Sequence, residues 1–212
     1  MPLYDEVEIL AVGIDEDAQI LAPCPFSVPK LVVFYGTSIT QGGCASRPGL
    51  SYQGIACRQL NLDYMNFGFS GRGKCELVLA QALAQIDAAC YVLDVGSNNK
   101  PPEEFHQRFH PFLEHLVNER PNVPVLIMMP SWFNAELWSE KELDENNHRR
   151  ETVRETVEYW QNREAIVSIL ERKDCIGEAF SECTVDGKHP NEFGFAQIAK
   201  NLIPALSQIL EL

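Results

Sequence analysis

The feature that most constrains this chain is a recurring short, almost wholly apolar, β-rich run. Leu31-Val32-Val33-Phe34-Tyr35, closed by Gly36, is the first. Tyr64–Phe67, Ala89–Val95 and Val123–Met129 follow. Runs of this kind, without polar alternation, mark strands covered on both faces, as in parallel sheets. The segments between them carry helical spacing. Leu50–Leu60, Glu76–Ile86 and Glu103–Val117 read as helices, the third opened by Pro101-Pro102. A fourth is predicted from about Asn147 to Arg172, with Val153, Val157, Trp160, Ile166, Ile169 and Leu170 inward. A fifth is predicted from about Asn191 to Leu210, where Pro204 should introduce a kink. Strand then helix, repeated, means an α/β fold: an open parallel sheet of about five strands with helices on both faces. Ligands in such a fold bind beyond the carboxyl ends of the strands.

Length and charge set the outer bounds. The 212 residues allow one domain, or one domain with a small appendage. The division predicted here is a strand and Pro-rich linker over 1–29, then the main domain over 30–212. Glu6-Val7-Glu8-Ile9 alternates as a strand does, and Ala22–Pro29 reads as an extended linker. A lone strand is not stable by itself, so it must dock on the main domain, a neighbour or something else. Docking on a neighbour would make a homo-oligomer. With 17 basic and 30 acidic residues the net charge is −13, which argues against nucleic acid and anionic lipid as partners. Arg149-Arg150, the densest basic pair, has acidic flanks. No apolar run approaches the ~18 residues of a membrane span.

Seven cysteines, Cys24, Cys44, Cys57, Cys75, Cys90, Cys175 and Cys183, make an odd number without a C-x-x-C pair. They read as reduced thiols, and the chain as cytoplasmic. Met1–Leu10 lacks the basic start of a signal peptide.

Four polar, glycine-rich turns follow the strands or precede the last helix. They are Gly36-Thr37-Ser38-Ile39-Thr40-Gln41-Gly42, Asn66-Phe67-Gly68-Phe69-Ser70-Gly71, Gly96-Ser97-Asn98 and Asp186-Gly187-Lys188-His189-Pro190. Their side chains suit acyl transfer. A serine hydroxyl is a weak nucleophile until a base takes its proton, and His189 is the candidate base for Ser38. Asp186, three residues earlier, is placed to fix the imidazole tautomer. The oxyanion of a tetrahedral intermediate needs preset donors, and the N–H groups of Ser38 and Gly68 with the Asn98 amide are the candidates.

In order and spacing these turns resemble four sequence blocks of the SGNH hydrolases, the GDSL-like esterase, lipase and acylhydrolase superfamily, from about Leu31 to the C-terminus. The resemblance implies a flavodoxin-like three-layer α/β/α sandwich. It implies Ser38 as nucleophile, His189 as base, Asp186 as its orienting partner and Ser38, Gly68 and Asn98 as the oxyanion hole, with no cofactor or metal. Thr37 and Asn99 replace two family aspartates, neither of which breaks bonds, so what they unsettle is the bracing of two loops. The N-terminal strand looks like the end of a β-sandwich module found in one branch of the superfamily, a branch with carbohydrate-directed esterases.

Other features have blander readings. The Gly68–Gly73 glycines are out of order for a dinucleotide fingerprint, and no G-x-S-x-G surrounds any serine. His106 and His110 share a helix face without completing a metal site. Cys44 reads as a small packed residue. Trp132, Phe133 and Trp138, after the fourth strand, are either a packed loop or a substrate wall. The expectation is a serine esterase acting on a small ester of a short acyl group, such as a carbohydrate acetate. The alternatives are an acyltransferase with the same residues and a non-catalytic α/β binding domain.

Overall fold

The structure is a computed structural model that describes residues 3–172 and 180–212, with the side chains of 180 and 181 left aside. Its centre is a five-stranded, wholly parallel sheet: β1 (Leu31–Gly36), β2 (Tyr64–Gly68), β3 (Ala88–Asp94), β4 (Val125–Met128) and β5 (Val167–Leu170). The order across the sheet is β2-β1-β3-β4-β5. The described helices are α1 (Ser38–Gln41), α2 (Tyr52–Leu60), α3 (Leu77–Leu83), α4 (Pro102–Glu119), α5 (Glu140–Gln161) and α6 (Glu192–Ile209).

Strand periodicity divides the core. Successive side chains leave a strand on opposite faces. Val33 and Tyr35 of β1 therefore join Tyr91 and Leu93 of β3 under Phe105, Phe109, Phe112 and Val157 of α4 and α5. Val32 and Phe34 join Cys90 and Val92 under Tyr52 of α2 and Phe195, Ile198 and Leu202 of α6. Both faces are covered, so β1 is buried almost throughout. The result is the expected three-layer α/β/α sandwich.

The last strand corrects the sequence reading. The fourth helix stops at Gln161 instead of Arg172. Asn162–Glu164 forms a turn, with Glu164 at φ 63°, and Val167–Leu170 is strand. Val125 to Met128 of β4 pair with Val167 to Leu170. A short apolar run has no periodicity that separates helix from strand, and here the open edge of β4 decides.

The N-terminal segment also differs. No strand forms over Glu6–Val12. Ile9, Leu10, Val12, Ile20 and Leu21 are exposed. An unpaired strand has no ladder to satisfy its backbone, and no sheet edge of the described residues pairs with this one. The segment touches the sandwich at both ends. Gln41 Nε2 donates to the Leu3 carbonyl at 3.1 Å, and Ser27 N–H donates to the Asn61 carbonyl at 2.8 Å.

At the carboxyl end of the sheet the core turns polar. Asp94, the last residue of β3, and Arg172, just past β5, are both wholly buried and meet at 2.6 Å. Thr40 of α1 donates to the other Asp94 oxygen at 2.9 Å. A buried charge is tolerable only when paired and hydrogen-bonded. Arg172→Met should therefore cost about 3–5 kcal/mol in urea denaturation, because it leaves Asp94 an uncompensated buried carboxylate. Adding Asp94→Asn should recover part of that loss. A loss below about 1 kcal/mol for the single variant would contradict this reading.

Candidate active site

The turn after β1 holds Ser38. Thr37 caps α1 by accepting a hydrogen bond from the Ile39 N–H at 3.3 Å, the kind of contact that stabilises a helix start. Thr37 thus braces this loop in the place where a family aspartate was expected. Ser38, the first residue of α1, is 7% exposed.

The turn before α6 brings the histidine to it. Ser38 Oγ lies 2.9 Å from His189 Nε2. His189 Nδ1 lies 2.7 Å from Asp186 Oδ2. The other Asp186 oxygen accepts the N–H groups of Lys188 at 2.9 Å and His189 at 2.7 Å. Burial pushes the Asp186 carboxyl up, but hydrogen bonds from the His189 N–H, the His189 ring and the Lys188 N–H outweigh it and lower the value to about 2. An ionised carboxylate only accepts, so Nδ1 carries the ring proton. In the neutral imidazole Nε2 is then the acceptor for the Ser38 hydroxyl.

The structure places the three oxyanion candidates unequally. Ser38 N–H has no acceptor among the described residues. Asn98 Nδ2 donates to the Phe69 carbonyl at 3.3 Å, which uses one of its two N–H bonds. Gly68 N–H is already engaged by Asn66 Oδ1 at 2.9 Å. A Cβ on Gly68 would fall 2.0 Å from the Gln41 nitrogen, so its missing side chain serves close packing of β2 on α1. The remaining N–H groups of this loop are spoken for, with one exception. Phe69 N–H donates to the Gly36 carbonyl, Ser70 to Gln41 Oε1, and Arg72 and Gly73 to the Phe69 carbonyl. Lys74 N–H donates to Glu76 Oε2 and Cys75 N–H to the Tyr35 hydroxyl. Gly71 N–H is the one left over among residues 68–75. Gly71 adopts φ 68°, a left-handed conformation that suits glycine, with open space where a Cβ would stand. Sequence reasoning passed over it; the doubled glycine of Gly68-Phe69-Ser70-Gly71 held the signal.

The third loop is held from behind. Arg149, 2% exposed, donates to the Asn99 carbonyl from Nη2 at 2.9 Å and from Nε at 3.3 Å. Asn99 Nδ2 donates to the Lys74 carbonyl at 3.1 Å. Arg150 is equally buried and meets Glu136 at 2.9 Å. The densest basic pair of the sequence is thus internal bracing.

The aromatic segment divides. Trp132 lies under Arg150, whose Cζ is 3.7 Å from its ring centroid, which makes it packing. Phe133 is 8% exposed and Trp138 is 72% exposed, and both line a cavity of about 410 Å³ that also reaches Asp186. Cys44 is exposed rather than packed, on a turn with φ 71° just past the Gly42-Gly43 bend. Burial, Asp186 and Glu192 all raise its pKa. His106 and His110 lie on α4, and His110 stacks on Trp160 at 5.9 Å. Among the described residues no cluster of His, Cys, Asp and Glu could hold a metal. No described helix is long and apolar enough to cross a membrane. Cys175 lies outside the described residues.

Residues 29–207 match the model of the GDSL-like Lipase/Acylhydrolase family, so this chain belongs to that family. No curated protein matches. Among solved structures, a protein described as a GDSL-like lipase from Bacteroides ovatus is 32% identical, with a TM-score of 0.83 over 93% of this chain and 58% of its own. The salicylyl-acyltransferase SsfX3 from a tetracycline biosynthetic pathway is 19% identical, with a TM-score of 0.74 over 85% of this chain and 56% of its own. A two-domain esterase (CEX) active on acetylated mannans is 18% identical, with a TM-score of 0.63 over 86% of this chain and 50% of its own. The last two show the fold alone. The chain spans little more than half the length of these relatives.

The low value of Asp186 makes a pH prediction. Its folded pKa lies below its ordinary 3.8, so its contacts stabilise the fold above about pH 4, and that contribution fades as pH falls toward 2. The Asp186 carboxyl carbon, followed by NMR, should titrate near pH 2; a midpoint near 4 would contradict the arrangement.

Proposed function

We propose that this protein is a serine carboxylic ester hydrolase that works through an acyl-enzyme on short acyl esters. The observation that carries the reading is the unbroken chain from Ser38 Oγ through the His189 ring to Asp186, at 2.9 and 2.7 Å. Those distances are within hydrogen-bond reach, the geometric condition for a nucleophile, its base and the group that orients the base.

The proposed steps follow from the protonation states. His189 Nε2 takes the hydroxyl proton as Ser38 Oγ bonds to the ester carbonyl carbon. The carbonyl oxygen becomes an oxyanion. Ser38 N–H, the second N–H of the Asn98 amide and Gly71 N–H, rather than Gly68 N–H, are its proposed donors. The imidazolium, steadied by Asp186, passes its proton to the leaving alkoxide as the tetrahedral carbon collapses. Water then enters, gives a proton to His189 and releases the acid from Ser38 by the reverse sequence. Short acyl groups are the first candidates, since the charged side chains Lys100, Glu142 and Lys188 that line the cavity beside Asp186 would be desolvated by a long alkyl chain. The similarity in fold to an esterase active on acetylated mannans supports carbohydrate acetates as first candidates.

p-Nitrophenyl acetate tests the proposal. Wild type should hydrolyse it, and Ser38→Ala should lose nearly all of that rate. Asn98→Ala should lower kcat about 100- to 1,000-fold, the cost of one oxyanion donor. Ser38→Ala retaining the wild-type rate would overturn the reading.

A further inference from the structure

The cavity next to Asp186 has a charge pattern that the hydrolytic residues do not explain. On a protein of net charge −13 it gathers Lys100, Arg149 and Lys188. Arg149 is partly offset by Glu145 at 3.4 Å. Neither lysine forms an ion pair or a side-chain hydrogen bond with a described residue. Lys188 is half-buried, with Nζ 5.0 Å from the Phe133 ring centroid. Burial, then Lys100 and Arg149, lower its pKa, while Asp186 and Glu142 act the other way. Of those carboxylates, Asp186 already accepts from His189 and Lys188 main chain, and Glu142 alone lines the cavity without a partner of its own. Two ammonium groups thus line one cavity without a counter-ion in contact among the described residues, an arrangement that an incoming anion would relieve.

The polar lining points the same way. Ser97 is 4% exposed, and its Oγ has no hydrogen-bond partner among the described residues although Ser97 lines this cavity. A buried hydroxyl without a partner costs free energy, and an anionic oxygen would accept from it. Ser97 adjoins Asn98 and Lys188 adjoins His189, so the cavity opens beside the residues proposed to meet the ester. Trp138, 72% exposed at the rim, offers a flat face to an occupant.

We propose that this cavity is an anion subsite: the natural ester carries an oxyanionic group, such as a carboxylate, that sits between Lys100 and Lys188 and accepts a hydrogen bond from Ser97 Oγ. The inference rests on the esterase reading for its substrate and on the cavity for its charge.

Two matched pairs of esters test it. One pair is 4-acetoxybenzoate against 4-acetoxybenzamide, which differ in charge on the alcohol portion. The other is the 4-nitrophenyl monoester of adipic acid against the 4-nitrophenyl ester of its half-amide, which differ on the acyl portion. In at least one pair kcat/KM should favour the anion by about 10-fold at low salt, shrinking as ionic strength rises. In the variant carrying Lys100→Gln and Lys188→Gln that ratio should fall at least about 5-fold. Equal rates or a neutral preference in both pairs, or a preference that survives in the double variant, would overturn the subsite. If none of the four esters were hydrolysed, the esterase reading would fail and the subsite would still be readable. Calorimetry with Ser38→Ala should then show tighter binding of 4-acetoxybenzoate than of its amide, and equal binding would overturn the proposal.

Discussion

The contact on which the site most depends is one that no substrate reaches. Asp94 and Arg172 meet at 2.6 Å with both side chains fully shielded from water. The pair joins the carboxyl ends of β3 and β5, and Thr40 ties α1 to the same carboxylate. The Thr40 hydroxyl also lies 3.1 Å from that of Tyr52 on α2, and its carbonyl accepts from Asn66 Nδ2 of β2 at 2.9 Å. Five parts of the sandwich thereby share one polar knot at the helix that carries Ser38. A parallel sheet ends in unpaired carbonyls and divergent loops, and a paired ionic group there fixes directions that apolar packing leaves loose. The low dielectric that makes the pair costly to break also makes it geometrically exacting.

Around that knot, each functional loop has its own restraint. Thr37 and the α1 turn hold the hydroxyl. Arg149 grips the carbonyl next to Asn98. The 186–189 turn folds upon its own carboxylate, and Asn134 N–H donates to the Gly187 carbonyl at 2.9 Å, which joins this turn to the cavity wall. The site is therefore assembled from short loops whose backbones are committed elsewhere, and preorganisation of this kind is what oxyanion stabilisation requires. The neighbouring cavity, whose two lysines have no ion-pair partner among the described residues, belongs to the same frame, since Ser97, Asp186 and Lys188 of these turns line it.

Much of this was legible in the sequence, for identifiable reasons. Apolar, β-branched runs such as Val32–Phe34 mark strands buried on both sides, and the polar turns after them then share one edge. Asp186 and His189 were readable because a three-residue turn closes on itself locally. Elsewhere the deciding force was long-range. Ile169 and Leu170 fit a helical pattern, and only the vacant edge of β4 makes them strand. Arg149 and Arg150 look solvated until their carbonyl and carboxylate partners arrive from distant loops. Gly68 and Gly71 are indistinguishable as letters. What separates them is that Asn66 engages one N–H and no described residue engages the other. The Glu6–Val12 alternation is a strand signal without a strand, because a ladder needs a second strand and none of the described residues provides it.

The central claim, that the Ser38 oxygen is the activated nucleophile, is tested most directly by covalent capture. Treatment of the full chain with a fluorophosphonate, followed by peptide mass mapping, should give one adduct on Ser38, formed far more slowly in His189→Ala. An adduct on a different serine, or none at Ser38 in protein that turns over esters, would contradict the account.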